Sequence, residues 1–333
     1  MATTKAVRFH GYGAPDVLRY EDIDVEMPGP GELLIRQTAI GVNFIDIQQR
    51  KGRYPAKSFP VTPGGEGAGV IEAVGEGVTE FAAGDRVAYM DQKPGGYCVT
   101  RRIAAQQVVK LPGFISDDIG ASIMLKGVTA NYLLRGAYHV RAGDTILFHA
   151  AAGGVGLIAC QWAKRLGARV IGIVGNADKA AVARDHGCDH VIVRGAEDIV
   201  ARVREITGGL GVPVVYDSVG AATFEQSLAC LKIRGLLVSF GAASGPVPPF
   251  DLFRLNNNHN MGKGGSFFVT SASLADYTRE RAEYLARVAD LFEAVRAGHV
   301  RIKPPRRYAL ADAAAAHRDL ESGATVGGSI LIP

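Results

Sequence analysis

Residues Thr145 to Gly156 read T-I-L-F-H-A-A-A-G-G-V-G, an apolar run that ends in a turn dense in glycine. Leu157 to Leu166 (L-I-A-C-Q-W-A-K-R-L) has helical composition, Gly167 can stop that helix, and a second apolar run, Ala168 to Val174, follows at once. Strand, glycine-rich turn, helix and strand within about 30 residues is the context that separates a dinucleotide fingerprint from a chance glycine cluster. The stretch is therefore expected to be the first strand and phosphate loop of a doubly wound, parallel-sheet domain of α/β class.

In the G-x-G-x-x-G spacing the glycine positions fall on Ala151, Gly153 and Gly156. The middle glycine lets backbone approach a pyrophosphate and the last lets helix and strand pack closely. Alanine at the first position weakens the pattern but not the physics, because backbone N–H groups at a helix N-terminus still face the phosphates. A site for NAD usually places Asp or Glu at the end of the second strand to bond the ribose 2'-hydroxyl. Here that region reads Val174, Gly175, Asn176, while Lys179 follows nearby and Arg194 closes a third apolar run, His190 to Val193. With no carboxylate to select a hydroxyl and two cations within reach, the expected cofactor is NADPH.

The chain's 333 residues suffice for two domains with separate cores. A hydrophobic fraction of 47% and mean hydropathy of +0.10 fit a globular chain. The net charge of +4 is spread along the sequence, and pairs such as Arg101-Arg102 and Arg306-Arg307 stand alone, so a nucleic-acid surface is not expected. There is no 18-residue apolar span, and Met1 to His10 lacks a signal-peptide core, which points to the cytoplasm and away from a membrane. Cys98, Cys160, Cys188 and Cys230 are widely spaced, offering neither a zinc-knuckle pattern nor a disulfide framework.

From Lys5 to about Leu111 short β-like runs alternate with Gly and Pro turns, the pattern of a β-rich, barrel-like module. It holds Asn43-Phe44-Ile45-Asp46 just after a strand, the polar loop Lys51-Gly52-Arg53-Tyr54-Pro55, and the turn Pro63 to Gly69. Ser116 to Leu134 turns helical, with Lys126-Gly127-Val128-Thr129 in its middle. Val212 to Asp217 and Gly235 to Gly241 are further apolar runs, followed by Ser218-Val219-Gly220 in the first case and ending in Phe240-Gly241 in the second. In an open parallel sheet such strand ends form the ligand crevice. Phe267 to Thr270 reads as another strand, Leu274 to Ala297 as a long helix, and Tyr308 to Pro333 as an alanine-rich helix with a last strand. Pro246 to Pro249 with Asn256 to Asn260 reads as a surface loop.

The stretches N-F-I-D, G-G-E-G-A-G, L-K-G-V-T, A-A-A-G-G-V-G, Y-D-S-V-G and G-G-S-I-L-I-P, in this order from end to end, resemble the zinc-free quinone oxidoreductases, the zeta-crystallin group of the medium-chain dehydrogenase/reductase superfamily. The resemblance implies a GroES-like β-rich domain of residues 1–126 and 298–333 and an NADPH-binding Rossmann domain of residues 127–297. The superfamily's zinc alcohol dehydrogenases place Cys, His and Cys where Asn43, Gly65 and Lys126 stand here, so no metal is expected. Carried over by position, Asn43, Tyr54, Lys126 and Thr129 would border nicotinamide and substrate. Gly153, Gly154, Val155 and Gly156 would hold the pyrophosphate, and Gly175, Asn176, Lys179 and Arg194 the ribose phosphate. Ser218, Val219, Phe240, Gly241, Phe268, Val269 and Thr270 would line the rest of the channel. Gln48, Arg194 and Gly323 depart from close bacterial relatives, which have tyrosine at the first two positions and arginine at the third.

The resemblance thus implies hydride transfer from NADPH to a quinone in a homodimer, with Tyr54 and Asn43 as donors to the developing oxyanion. An enone or 2-alkenal reductase would share every cofactor residue, and an NADPH-responsive RNA-binding protein is the non-enzyme alternative. Plain structural roles compete at single positions: Tyr54 packing over its loop, Asn43 capping a strand end, His149 as a hydrogen-bonded core histidine, Glu66 anchoring its glycine-rich turn, and Phe267-Phe268 as core or dimer seam.

Overall fold

Glu32–Val42 is apolar over most of its length, and a strand of that kind must be covered on its faces and paired along both edges. The computed structural model, which describes residues 2–256 and 265–333, pairs it that way. It divides the chain into two compact units, residues 1–126 with 302–333, and residues 127–301.

The first unit contains β1 (Ala2–Arg8), β2 (Arg19–Val25), β3 (Glu32–Val42), α1 (Phe44–Arg50), β4 (Glu66–Val74), β5 (Arg86–Met90), β6 (Thr100–Ala104) and β7 (Val108–Lys110), then α2 (Asp117–Tyr132) through Lys126. Along one edge β3 meets β4; along the other it meets β6 and a strand from the far C-terminus. The short helix α1 is one that sequence periodicity does not reveal, since seven residues span only about two turns. It begins because Asn43 is extended at φ −133° and its N–H is taken by Asp46 Oδ2 at 2.8 Å, which satisfies a donor the helix leaves open.

The second unit continues with β8 (Thr145–Phe148), α3 (Gly154–Arg165), β9 (Arg169–Val174), α4 (Ala177–Asp185), β10 (His190–Val193), α5 (Ile199–Ile206), β11 (Val212–Asp217), α6 (Phe224–Ala229), β12 (Leu231–Ser239), β13 (Phe268–Ser271) and α7 (Arg281–Arg296). Its strands lie in the order β10-β9-β8-β11-β12-β13, and every pairing is parallel. The chain winds outward from β8 to β10, then crosses back to start β11 on the other side of β8. The sheet therefore has a switch point between β8 and β11, where strand carboxyl ends open into a crevice. Leu147, Ile171, Ile192, Val203, Val215 and Leu237 pack a core below it, each contributing about 1.5–3 kcal/mol by burial.

Several boundaries differ from the sequence reading, among them β12, which starts at Leu231 rather than Gly235, and the return to the first unit, at Ile302 rather than 298. The helix expected from Leu274 starts only at Arg281, because Glu280 is extended at ψ 125° and separates it from a single 3-10 turn, Asp276–Thr278. Phe267 sits against the core just before β13, while Phe268 is 59% exposed on that edge strand. Residues 257–260 of the expected surface loop lie outside the described residues. The C-terminal β14 (Arg306–Ala309), α8 (Ala313–Glu321) and β15 (Ser329–Ile332) rejoin the first unit, with Leu331 opposite Ile40 of β3.

Candidate active site

The phosphate loop is built by its tightest contacts. Ala150 adopts φ 53°, and its carbonyl accepts Gly153 N–H at 2.8 Å. A Cβ on Gly156 would lie 2.4 Å from that same carbonyl oxygen, so only glycine lets α3 start there. Gly153 caps α3 with no side chain in the way, and the N–H groups of Gly154, Val155 and Gly156 fall in its first turn, where no intrahelical acceptor exists. That cradle fits a diphosphate, by hydrogen bonds and by the helix dipole.

Beside it, Gly175 and Asn176 join β9 to α4. Asn176 Oδ1 accepts Lys179 N–H at 3.0 Å, and Arg194 N–H bonds the Val174 carbonyl at 2.9 Å. These bonds bring Gly175, Asn176, Lys179 and Arg194 to one corner, and no carboxylate stands on the residues that end β9. Lys179 is half-buried, and desolvation holds its pKa below the usual lysine range. A phosphate monoester fits this corner, where a bare hydroxyl would find no acceptor of the usual kind.

On the other side of the switch point, the loops after β11 and β12 interlock. Ala243 N–H bonds the Ser218 carbonyl, Ser244 N–H bonds that of Val219, and a Cβ on Gly241 would lie 2.9 Å from the Ser218 carbonyl oxygen. Asp217, 2% exposed, holds the first loop by accepting Val219 N–H at 2.7 Å, Gly220 N–H at 3.1 Å, and the hydroxyls of Thr223 and Ser227 at 2.7 Å each. Ser227 thus spends its proton on Asp217 and accepts from His149 Nε2 at 2.9 Å, which makes His149 a hydrogen-bonded core residue. Phe240 stacks at a tilt on Phe148, 5.8 Å between centroids, while Phe268, Val269 and Thr270 run beside β12. Thr129 is buried in α2.

In the first unit Asn43, Glu66 and Lys126 close a ring of hydrogen bonds. Lys126 Nζ donates to Asn43 Oδ1 at 2.7 Å and to Glu66 Oε2 at 2.9 Å, and Asn43 Nδ2 donates to the same Glu66 oxygen at 2.8 Å. Glu66 Oε1 accepts Leu125 N–H at 2.8 Å. Glu66 is fully buried, Asn43 4% and Lys126 7% exposed. Glu66 therefore does more than anchor its glycine-rich turn: it fixes both of the other side chains. A Cβ at Gly65 would lie 2.4 Å from the Asp91 carbonyl oxygen, leaving no room for a ligating side chain at that position. Among the described residues no group of three or more His, Cys, Asp or Glu could hold a metal ion. Tyr54 lies outside the ring, on the loop after α1, and is 52% exposed.

Behind the ring lies a second buried cluster that sequence reasoning missed. Tyr97 OH lies 3.0 Å from Asp46 Oδ2 and 3.0 Å from His317 Nε2. Burial pushes the Asp46 carboxyl up to about 7 against the pull of Asn43 N–H, Tyr97 and Lys126, and pushes His317 down to about 3, helped by Arg50. The aspartate of N-F-I-D and the lone histidine of the alanine-rich helix were the signals available; their meeting was not.

Residues 29–142 match the alcohol dehydrogenase GroES-like domain, and residues 154–285 match the zinc-binding dehydrogenase model. A quinone oxidoreductase of Pseudomonas aeruginosa is 47% identical over 99% of both chains. The chain belongs to the quinone oxidoreductases of the medium-chain dehydrogenase/reductase superfamily. The crystal structure of Escherichia coli quinone oxidoreductase complexed with NADPH superposes with a TM-score of 0.95 at 45% identity, covering 100% of both chains. A 2-haloacrylate reductase of Burkholderia sp. is 41% identical over 98% of each. Family membership agrees with the two architectures found, a β-rich unit of GroES-like type and a doubly wound parallel sheet.

Proposed function

We propose that this chain is an NADPH-dependent quinone reductase working without a metal. The observation that carries the reading is the ring of Lys126, Asn43 and Glu66. At a place where the superfamily's zinc enzymes carry metal ligands by resemblance, this chain carries an ammonium, and an ammonium repels a divalent cation. An acceptor reduced here must take hydride without Lewis-acid activation, which suits a quinone, whose oxygen charge is delocalised.

Bound NADPH supplies the hydride. Gly153 to Gly156 bind the diphosphate through backbone N–H groups, and Gly175, Asn176, Lys179 and Arg194 receive the ribose phosphate. Thr129, Ser218, Val219, Phe240, Gly241 and Phe268 to Thr270 shape the remaining channel. Asn43 Nδ2 spends one hydrogen on Glu66 and keeps a second for an acceptor oxygen; Tyr54 offers a neutral hydroxyl from its loop.

The test is the steady-state rate of NADPH oxidation, with NADH alongside, against a panel of quinones, enals and a simple ketone. NADPH-selective turnover of quinones is expected. Turnover confined to enals would move the function to an enone or 2-alkenal reductase, a reading favoured by the 2-haloacrylate reductase relative, whose name specifies an activated alkene. We further propose a homodimer joined through the β13 edge, supported by the exposed Phe268, and a cytoplasmic location, where four buried free cysteines stay reduced. Light scattering on the eluting protein measures the first.

A further inference from the structure

We propose that Lys126 is the charged donor to the oxygen that gains negative charge on reduction, and that Glu66 is the positioning residue that aims it; the proposal rests on the quinone reductase reading above. An ammonium carries three donors. Asn43 Oδ1 takes one and Glu66 Oε2 a second, and no acceptor among the described residues takes the third. A lysine 7% exposed pays desolvation for its charge, and one spare N–H on a rigidly held ammonium is what an oxyanion requires.

The aim is fixed by how the ring is anchored. Glu66 opens β4 and is tied by Oε1 to the backbone N–H of Leu125, next to Lys126 itself. A Cβ on Gly41 would lie 2.3 Å from Glu66 Oε2, so the carboxylate fills space that only glycine leaves open. Asn43 is held by its backbone N–H on Asp46 Oδ2 and by its Nδ2 on Glu66. Glu66 is thus pinned to backbone and holds the Asn43 side chain in turn, and Nζ has one direction left to offer. Glu66 is its ion-pair partner, and Asp46 is near enough for the ammonium to act on its carboxyl.

The chemistry balances simply. The acceptor gains the hydride and its two electrons; the oxygen left with a negative charge forms a bond to a proton from Nζ, the N–H bond breaks, and the resulting amine regains a proton from water. Asn43 and Tyr54 stabilise the same oxygen as neutral donors, whereas Lys126 supplies charge and a transferable proton.

A readout without cofactor tests this: binding of 4-nitrophenolate, an oxyanion stand-in, followed by its absorbance on the apoprotein. The wild type is expected to prefer phenolate over phenol. Because Lys126→Met alone leaves a buried carboxylate unpaired, the decisive variant is the double change Lys126→Met with Glu66→Gln, which removes both charges together. Phenolate affinity is expected to fall about 10- to 100-fold in it, with NADPH affinity held. Unchanged phenolate affinity overturns the proposal, and a fall in NADPH affinity alongside it assigns Lys126 to the cofactor instead. Glu66→Gln alone is expected to lower kcat more than it raises KM, with Glu66→Asp restoring part of the loss; equal kcat in all three would remove Glu66 from positioning. Failure of the wild type to reduce any quinone would instead strike the underlying functional reading, so the two failures are distinguishable.

Discussion

Asp46 and His317 share one hydroxyl: Tyr97 OH stands 3.0 Å from a carboxylate oxygen of the first and 3.0 Å from Nε2 of the second. Tyrosine has a single proton to give. When Asp46 is ionised, Tyr97 donates to it and His317 donates to Tyr97; when Asp46 is protonated, the direction of both bonds reverses. Burial opposes charge at both ends of this chain.

The two ends pull stability in opposite directions with pH. The Asp46 carboxyl, raised from 3.8 to about 7, contributes stability that is full below 3.8 and is lost as pH rises through 7. His317, lowered from 6.5 to about 3, contributes stability that is full above 6.5 and is lost as pH falls toward 3. Each is on the order of a few kcal/mol, and because each group exchanges one proton the two slopes oppose one another across most of the interval. Urea unfolding from pH 4 to 7 should therefore show little change from this cluster in the wild type. Asp46→Asn should make stability fall with acid, and His317→Gln should make it fall with base; parallel curves for all three proteins would refute the coupling.

Gly153→Ala and Gly156→Ala should separate cofactor binding from folding. A methyl at Gly153 meets the Ala150 carbonyl at 3.1 Å, a tight contact but at a residue whose φ is −80°, so the stability loss should be smaller than at Gly156. The methyl stands where the diphosphate approaches, and the NADPH Kd should rise at least about tenfold. At Gly156 the same methyl lies 2.4 Å from backbone oxygen, and a stability loss of about 3 kcal/mol or more is expected. Thermal scans with NADPH titration read both.

Lys179→Ala should erase selectivity more than it harms turnover. Losing a charged partner for the 2'-phosphate costs about 1.5–3 kcal/mol, or roughly 10- to 100-fold in kcat/KM for NADPH, with NADH kinetics unchanged. A proportional loss with both cofactors would place Lys179 away from that phosphate.

Asp217→Ala should destabilise the second unit by about 3–5 kcal/mol, because two buried hydroxyls and the N–H groups of Val219 and Gly220 lose their acceptor. NADPH affinity should drop with it, and Asp217→Asn should recover part of both. Chemical denaturation followed by fluorescence titration checks the pair.

What the sequence made legible follows from how local each feature is. The phosphate loop is one contiguous strand, turn and helix, so Ala151, Gly153 and Gly156 betray it directly. The missing carboxylate after Val174 is equally local. The ring is different: Asn43 bonds Glu66 across 23 positions and Lys126 across 83, so each residue alone looks like a cap, a turn anchor or an odd buried lysine. Tyr97 and His317 meet across 220 positions, joined only because the last segment folds back onto β3, and no periodicity reports such a meeting. Short α1 escaped for a different reason, since its seven residues are too few for a helical period to show, although Asp46 three residues after Asn43 marks its start.

The positive charge at the centre of the ring is written into the polypeptide. A Lys126 ammonium arrives with translation, in fixed proportion to the protein, and no chelator can strip it or competing ion replace it. If this ammonium plays the part proposed above, a cell short of metal would lose no activity from this centre, and one flooded with the wrong metal would not poison it by exchange. What can modify it is chemistry aimed at amines: acylating or carbonyl-bearing electrophiles, some of them close kin to the acceptors such an enzyme reduces, are the agents against which a nearly buried, ion-paired lysine is protected.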